Sequence, residues 1–417
     1  MQISVLIKEA NDGEIEAQLQ LADLYENGFG VPLDRGQAAY WYHKAAEQGS
    51  VKAQSRLGQM YIRGVGVPED HEQAVYWLKQ AAEKDDPAAQ ANLAWCYQQG
   101  LSVEKDYKQA FNWYEKSSNL GHAGARYNFG YMYANGIGTE KNEELAVQWY
   151  RKAAEQGHTK AQLNVGLMFA GGLGAEVDQK EAAMWYERAA LQGYDKAQYN
   201  LALMYAGGHG VPQDDKEAFK WHQMAAKQGY SRAQFNMGLF FVHALGVVQD
   251  FQAAKKCFQL AAEQDYIKGH YQLGKLYANR DWDGANEIES AKQYQIAADA
   301  GYAKAQYRLG RLYMEGQGVK QDKKPACKWY EDAARQGLVK AQYMMGVLHA
   351  KGLGVKKDYI KSYAWLLLAS ERGNQEVLKA LKKLGKKLDE KQIANAENLA
   401  GELRQGYDSV VTRQESQ

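Results

Sequence analysis

Few residues of this chain stand at spacings that could do chemistry. Gly-x-Gly pairs recur, as in Gly172-Leu173-Gly174 and Gly208-His209-Gly210. A phosphate-cradling loop needs such a pair after a strand and at the opening of a helix. Here the pairs close helical stretches and recur as turns, so nucleotide binding is excluded. His71-Glu72 opens a zinc-like string, but Val75 stands where the second histidine would be. None of the nine His residues pairs at i, i+4. Asp281, Asp283, Glu287 and Glu289 form an acidic cluster, yet the nearby Gly284 is misplaced for a calcium loop. No Ser or Cys stands beside a base at a nucleophile spacing. The expectation is a non-catalytic protein with no cofactor and no metal.

What remains is binding chemistry, carried by rings and amides that return every 36 residues. Ten frames begin at residues 17, 53, 89, 125, 161, 197, 233, 269, 305 and 341, with no insertion or deletion. A fixed period of this size marks stacked supersecondary units. Position 3 of the frame includes Tyr127, Tyr199 and Phe235; position 7 includes Trp95, Tyr131, Leu167, Leu203 and Leu239. Position 4 is Asn92, Asn128, Asn164, Asn200 and Asn236 in five successive frames. Toward the C-terminus the same positions become basic: Lys275, Arg308 and Arg311, with Lys351 nearby and Glu315 opposing.

The elements that hold these rows follow from the frame Ala197 to Gly229, AQYNLALMYAGGHGVPQDDKEAFKWHQMAAKQG. Ala197, Leu201, Met204 and Tyr205 give one apolar helix face. Position 6 is Gly or Ala in all ten frames, which lets a second helix approach closely. Gly208 to Pro212 stops the first helix. Asp214, with Glu217 three residues on, predicts an N-cap and capping box. The cap position is Asp in eight frames and Asn in two, Asn142 and Asn286. The second helix carries Ala218, Trp221, Ala225 and Ala226 on one side, and Gly229 ends it. Trp recurs at 41, 77, 113, 149, 185, 221, 329 and 365, and reads as a core knob rather than a stacking ladder. Trp149 and Trp185 are accordingly assigned to the core. At about 100° per residue, positions 3, 7 and 10 fall at about 180–240° from position 1, away from the core stripe.

The pattern A-x3-L-G/A-x2-Y-x2-G-x-G-V-x3-D-x3-A-x2-W-Y-x2-A-A-x2-G resembles the Sel1-like repeat, a relative of the tetratricopeptide repeat, over residues 17–376. The resemblance implies an all-α fold, a right-handed α/α superhelical solenoid of ten repeats, and a role in protein–protein contacts. By analogy with tetratricopeptide repeats, positions 3, 4 and 7 would face a concave groove.

The flanks extend the pattern. Residues 1–16 read as a half-repeat cap, since Gly13 aligns with Gly49 and Val5 with Trp41. Residues 377–417 read as capping helices and a tail: Asp389 and Gln392 form a capping box, Ile393, Ala396, Leu399, Ala400 and Leu403 give one apolar side, and 407–417 are expected to fray. Frames seven and eight depart most. Cys257 and Gln293 replace Trp, and Arg280-Asp281-Trp282-Asp283-Gly284 replaces the Gly turn. Residues 244–300 are therefore expected to be the softest internal segment.

Composition bounds the rest. The unbroken period makes the chain one continuous repeat domain despite its 417 residues. Lys plus Arg is 51 against Asp plus Glu 50, a balance that excludes a general nucleic-acid binder. Apolar runs are too short for a membrane span. Cys96, Cys257 and Cys327 lie in three separate frames, so no disulfide is expected and a reducing, cytoplasmic setting is favoured. MQISVLIKEA lacks a basic region and does not read as a signal peptide; a trimmed leader would make the setting periplasmic or extracellular.

The functional expectation is an interaction scaffold that binds a protein or extended peptide in its groove, its rings supplying area and its Asn row bonding the backbone. Two alternatives stay open. The rings and Asn could instead pack on neighbouring helices, or the aromatic groove could serve a glycan-binding module or an enzyme.

Overall fold

The computed structural model describes residues 3–371 and 373–415, with side chains as far as Arg404. Among the described residues there are 23 helices and no strand, and the chain is an all-α solenoid of paired helices. It divides into two compact units, Met1–Asp214 and Asp215–Gln417. The first unit runs from helix Ile3–Asn11 to helix Asp195–Gly207; the second runs from helix Asp215–Lys227 to helix Glu390–Glu415. Within each unit, successive helices pack on one another in chain order, except that the last two, Gln375–Gly385 and Glu390–Glu415, both pack on Tyr359–Ser370.

Each first helix begins two residues before the frame set by the sequence, as at Val51, Thr159 and Ala303. The caps explain the boundaries. Asp70, Asp178 and Asn286 each accept two backbone N–H bonds at the head of a second helix, and Asp34, Asn142, Asp250, Asp322 and Asp358 accept one. First helices close on a Gly in the left-handed region, such as Gly172 at φ 68°. Ala244 takes that conformation at φ 55° where the glycine is missing.

The small residue at position 6 seats the second helix. A Cβ on Gly166 would stand 2.6 Å from the Tyr186 ring, and one on Gly238 2.4 Å from Phe258. The residue pressed into this gap is the one after Trp. Tyr42, Tyr114, Tyr150, Tyr186, Phe258 and Tyr330 are all 3 % exposed or less. The Trp positions vary more: Trp185 is 2 % exposed, whereas Trp113, Trp149 and Trp329 are only partly buried. The N-terminal half-repeat follows the same rule: Val5, aligned with Trp41, is exposed and Leu6, aligned with Tyr42, is buried.

Two devices join one repeat to the next, and neither was read from the sequence. In seven of the turns the second glycine lies against the start of the preceding second helix. A Cβ on Gly174 would fall 2.2 Å from the Glu143 carbonyl oxygen, and one on Gly318 2.0 Å from that of Glu287. A row of buried glutamines at position 2 supplies the other. Gln162 Nε2 donates to the Ala154 carbonyl at 3.1 Å, and Gln192 Nε2 donates to Gln162 Oε1 at 2.7 Å. Gln306 and Gln336 repeat the arrangement in the second unit. The signal was present as an Ala-Gln pair opening eight of the ten frames. A buried amide tied to the last carbonyls of a helix offsets its own desolvation and caps that helix.

The eighth repeat is built differently. Its first helix, Ile267–Tyr277, is 11 residues long against 13 in the others, because no glycine follows to take the left-handed turn. The chain instead brings Trp282 back into the core, 5 % exposed, beside Tyr277 at a ring distance of 5.5 Å and in one cluster with Phe258, Leu273 and Leu276. The stretch therefore does not simply lose two large core side chains. The missing pair at Cys257 and Gln293 is offset in part by a Trp that the turn carries.

At the C-terminus, Asp389 Oδ1 accepts from the Gln392 N–H at 2.8 Å while Gln392 Oε1 accepts from the Asp389 N–H at 3.1 Å, the expected capping box. Ala396 and Ala400 of the following helix are buried in the cluster that holds Trp365 and Leu368. The backbone is helical to Glu415; residues 416 and 417 lie outside the described residues.

Candidate functional site

The first helices of the first unit place position 7 in the open. Trp95, Tyr131, Leu167 and Leu203 are 36 %, 40 %, 43 % and 40 % exposed. Four large apolar side chains at the same point of four successive helices are costly to leave in water, which sets this row apart from scattered surface hydrophobics. Trp95, Tyr131 and Leu167 sit on helices whose other side meets the buried Tyr114, Tyr150 and Tyr186 of the next helix, so this part of the row is held on a rigid support.

Position 3 is deeper. Tyr127 is half-buried, stacked on His158 at 4.7 Å and 22°, and leaning on Tyr150 at 5.6 Å. Tyr199 is likewise half-buried. In the second unit Phe235 is 8 % exposed between Phe258 and Tyr266, and Leu239 is half-buried. Rings at position 3 thus spend much of their area on neighbouring helices.

The Asn row is half-buried throughout, at Asn92, Asn128, Asn164, Asn200 and Asn236. Asn128 lies beside the Tyr114 hydroxyl, which donates to Gln98 Oε1 at 3.2 Å, and Asn164 lies beside those of Tyr127 and Tyr150. Asn236 Nδ2 lies 3.3 Å from His222 Nε2. Burial raises the pKa of Tyr114 and Tyr150, while the Asn contacts act in the opposite sense. Asn128, Asn164 and Asn236 thus bring their first helices against Tyr114, Tyr150 and His222 of the preceding second helices. An Asn side chain has two N–H donors and an acceptor oxygen, so one such contact does not exhaust it.

The basic positions all fall in the second unit. Lys275, Arg311 and Lys351 are exposed and Arg308 is half-buried. Arg311 pairs with Glu315 at 3.2 Å. Arg308, Arg311 and Arg280 line a pocket of about 310 Å³ with Tyr294 at its base.

Residues considered for catalysis are dispersed or paired. Glu287 meets Arg280 at 3.8 Å and Glu289 meets Lys292 at 3.7 Å. Cys96, Cys257 and Cys327 are free thiols, and burial pushes each up to about 11. Among the described residues no group of three or more His, Cys, Asp or Glu side chains could hold a metal, and no helix is long and apolar enough to cross a membrane.

Comparison with known proteins adds the following. The family model described as Sel1 repeat matches residues 15–50, 51–86, 87–122, 123–158, 159–194, 195–230, 231–266, 303–338 and 339–374. The stretch without a match, 267–302, is the eighth repeat with its shortened helix, which still folds as a helix pair. Solved structures similar to this chain include two at 32 % identity. One is c5321, a protective antigen present in uropathogenic Escherichia coli strains, displaying an SLR fold. It is 32 % identical, covering 100 % of this chain and 97 % of its own, with a TM-score of 0.65. The other is a Sel1 repeat protein from Oxalobacter formigenes, 32 % identical over 58 % of this chain and 96 % of its own, with a TM-score of 0.52. No curated protein matches the chain.

Proposed function

Because this chain belongs to the Sel1-repeat family, whose members are generally non-catalytic interaction scaffolds, we propose that it holds a partner segment along its first-helix face. The observation that carries the reading is the exposed row Trp95, Tyr131, Leu167 and Leu203. An extended peptide from a protein partner would lay alternate apolar side chains against this row. Tyr127, Tyr199 and the Asn side chains at 92, 128, 164 and 200 would border it, with remaining amide groups bonding the peptide backbone. In the second unit Phe235, Asn236 and Leu239 occupy the corresponding positions with less exposed area, so the rings of the first unit would contribute most.

The test separates binding from folding. Peptides selected by display against the full chain are titrated against Trp95→Ala, Tyr131→Ala and Trp185→Ala. Truncating an exposed ring is expected to lose roughly 1–3 kcal/mol of binding with little change in melting. Truncating Trp185, which is 2 % exposed, is expected to cost roughly 3–5 kcal/mol of stability. Selected peptides that bind Trp95→Ala and Tyr131→Ala as tightly as the parent would overturn the reading.

A further inference from the structure

The repeat supplies its own control for the basic pocket. Arg56 and Arg308 occupy the same position of the frame seven repeats apart, as do Tyr42 and Tyr294 on the preceding second helices. In the earlier copy the arginine is already satisfied. Glu26 accepts from Arg56 Nε at 3.0 Å, from a second N–H of the same guanidinium, and from the Tyr42 hydroxyl at 2.9 Å. Asp23 takes a further bond from Tyr42 and pairs with Lys52 at 2.9 Å. Gln59 Oε1 completes the cluster by accepting from Arg56 at 3.1 Å.

In the later copy the first helix has lost its acidic residues, and the carboxylate that lines the pocket is Glu287 at the head of the second helix, beside Arg280. Ala278 stands where Glu26 does, Lys275 where Asp23 does, and Arg311 where Gln59 does. Among the described residues Arg308 forms no ion pair; Arg311 is shared with Glu315 on its own helix, and Arg280 reaches Glu287 only at 3.8 Å. Tyr294, 3 % exposed, remains at the base, close enough for both Arg308 and Arg311 to act on its hydroxyl against the effect of burial. Ala278 has only a methyl group where Glu26 has a carboxylate arm, and the first helix ends there, which leaves the pocket of about 310 Å³ open.

We propose that this pocket binds a carboxylate of the partner, held by Arg308 and the Tyr294 hydroxyl in the place that Glu26 fills in the earlier copy. The planar guanidinium presents two parallel donors to such a group, and Arg311 adds a second positive charge. The proposal rests on the reading that a peptide or protein segment lies on the first-helix face. It adds a class of anchor, an acidic side chain or a chain terminus, at the repeat-eight end.

The experiment uses the full chain with ¹⁵N-labelled arginine, following the Nε–Hε signals. The probes are N-acetyl-Gly-Gly-Glu and N-acetyl-Gly-Gly-Gln, each as free acid and as C-terminal amide. The carboxylate-bearing peptides are expected to shift the Arg308 and Arg311 signals, and the neutral Gln amide is not. Whether the Gln acid or the Glu amide binds identifies a terminal or a side-chain carboxylate as the source. Ala278→Glu, at an exposed position, is expected to refill the site and weaken probe binding at least about tenfold, as is Arg308→Gln. Equal shifts from the neutral peptide, no shifts from any peptide, or unchanged affinity in Ala278→Glu would overturn the site. Those failures leave the first-unit row untouched, since its test uses Trp95 and Tyr131. Conversely, a carboxylate held here while those two substitutions spare peptide binding would keep this pocket and remove the groove.

Discussion

Gly174 shows how much one missing methyl group decides. Its φ of 67° lies in the left-handed region, and a Cβ would also collide with the Glu143 carbonyl. Conformation and contact therefore both exclude a side chain. Gly174→Ala is expected to destabilise the first unit by roughly 2–4 kcal/mol, the sum of left-handed strain and a displaced turn. Ala added at Gly157, which meets nothing within 4 Å, would suffer the backbone strain alone. Urea titration of both variants checks this; equal losses would show that the approach to Glu143 contributes nothing.

At the scale of the element, the helix pair is a lock between a small residue and a ring, repeated with few exceptions. The eighth pair departs from it by ending its first helix early and recruiting Trp282 from the turn. Trp282→Ala is expected to cost roughly 3–5 kcal/mol, as for other buried Trp. It should also raise amide exchange across 267–299 above that of the regular pairs. If the substitution leaves both stability and exchange unchanged, Trp282 does not support this repeat and the original expectation of a soft segment stands. The buried glutamines belong to the same scale. They join eight of the first helices to the pair before; in the fourth frame Arg126 Nε donates to the Ser118 carbonyl at 3.1 Å instead, and in the eighth His270 stands in the glutamine's place and bonds Gln293 at 2.8 Å.

At the scale of the whole molecule, burial favours the neutral form of histidines in both units, partly at His122 and His158 and fully at His222. His122 and His158 cap first helices, their Nδ1 atoms accepting the N–H of Ala125 and Ala161 at 3.0 and 3.2 Å, and burial lowers both pKa values. In the second unit burial takes His222 down to about 4. A folded-state pKa below the unfolded value of about 6.5 gives stability that is fully present above that pH. It is lost as pH falls toward the folded value. For His222 the loss amounts to roughly 3 kcal/mol between about pH 6.5 and 4. Thermal melts should therefore fall between pH 7.5 and 5 in the parent. His222→Tyr, which restores the residue found at Tyr186, Tyr294 and Tyr330, should blunt that fall. An unchanged pH profile in the variant would remove His222 as its source.

The sequence by itself determined what depends on local pattern. Period, caps, turn glycines and the small residue at position 6 each act within a few residues or at a fixed interval, so they fix the helix pairs and their order without reference to coordinates. The exposed row at Trp95, Tyr131, Leu167 and Leu203 was legible for the same reason, since helix geometry alone sets the face. Only the tertiary structure decided how that face is spent. Position 3 rings and the Asn row lie near enough to the preceding helix to be partly used there, and Phe235 is nearly covered. The deeper burial of the residue after Trp also depends on which neighbour comes closest. Trp282 was hidden because its role arises from a turn that breaks the period, and the open pocket at Arg308 because its meaning lies in a partner that Ala278 does not supply. Contacts across repeats are distances in space, and a repeat pattern gives their positions without saying which of two satisfied neighbours a side chain will choose.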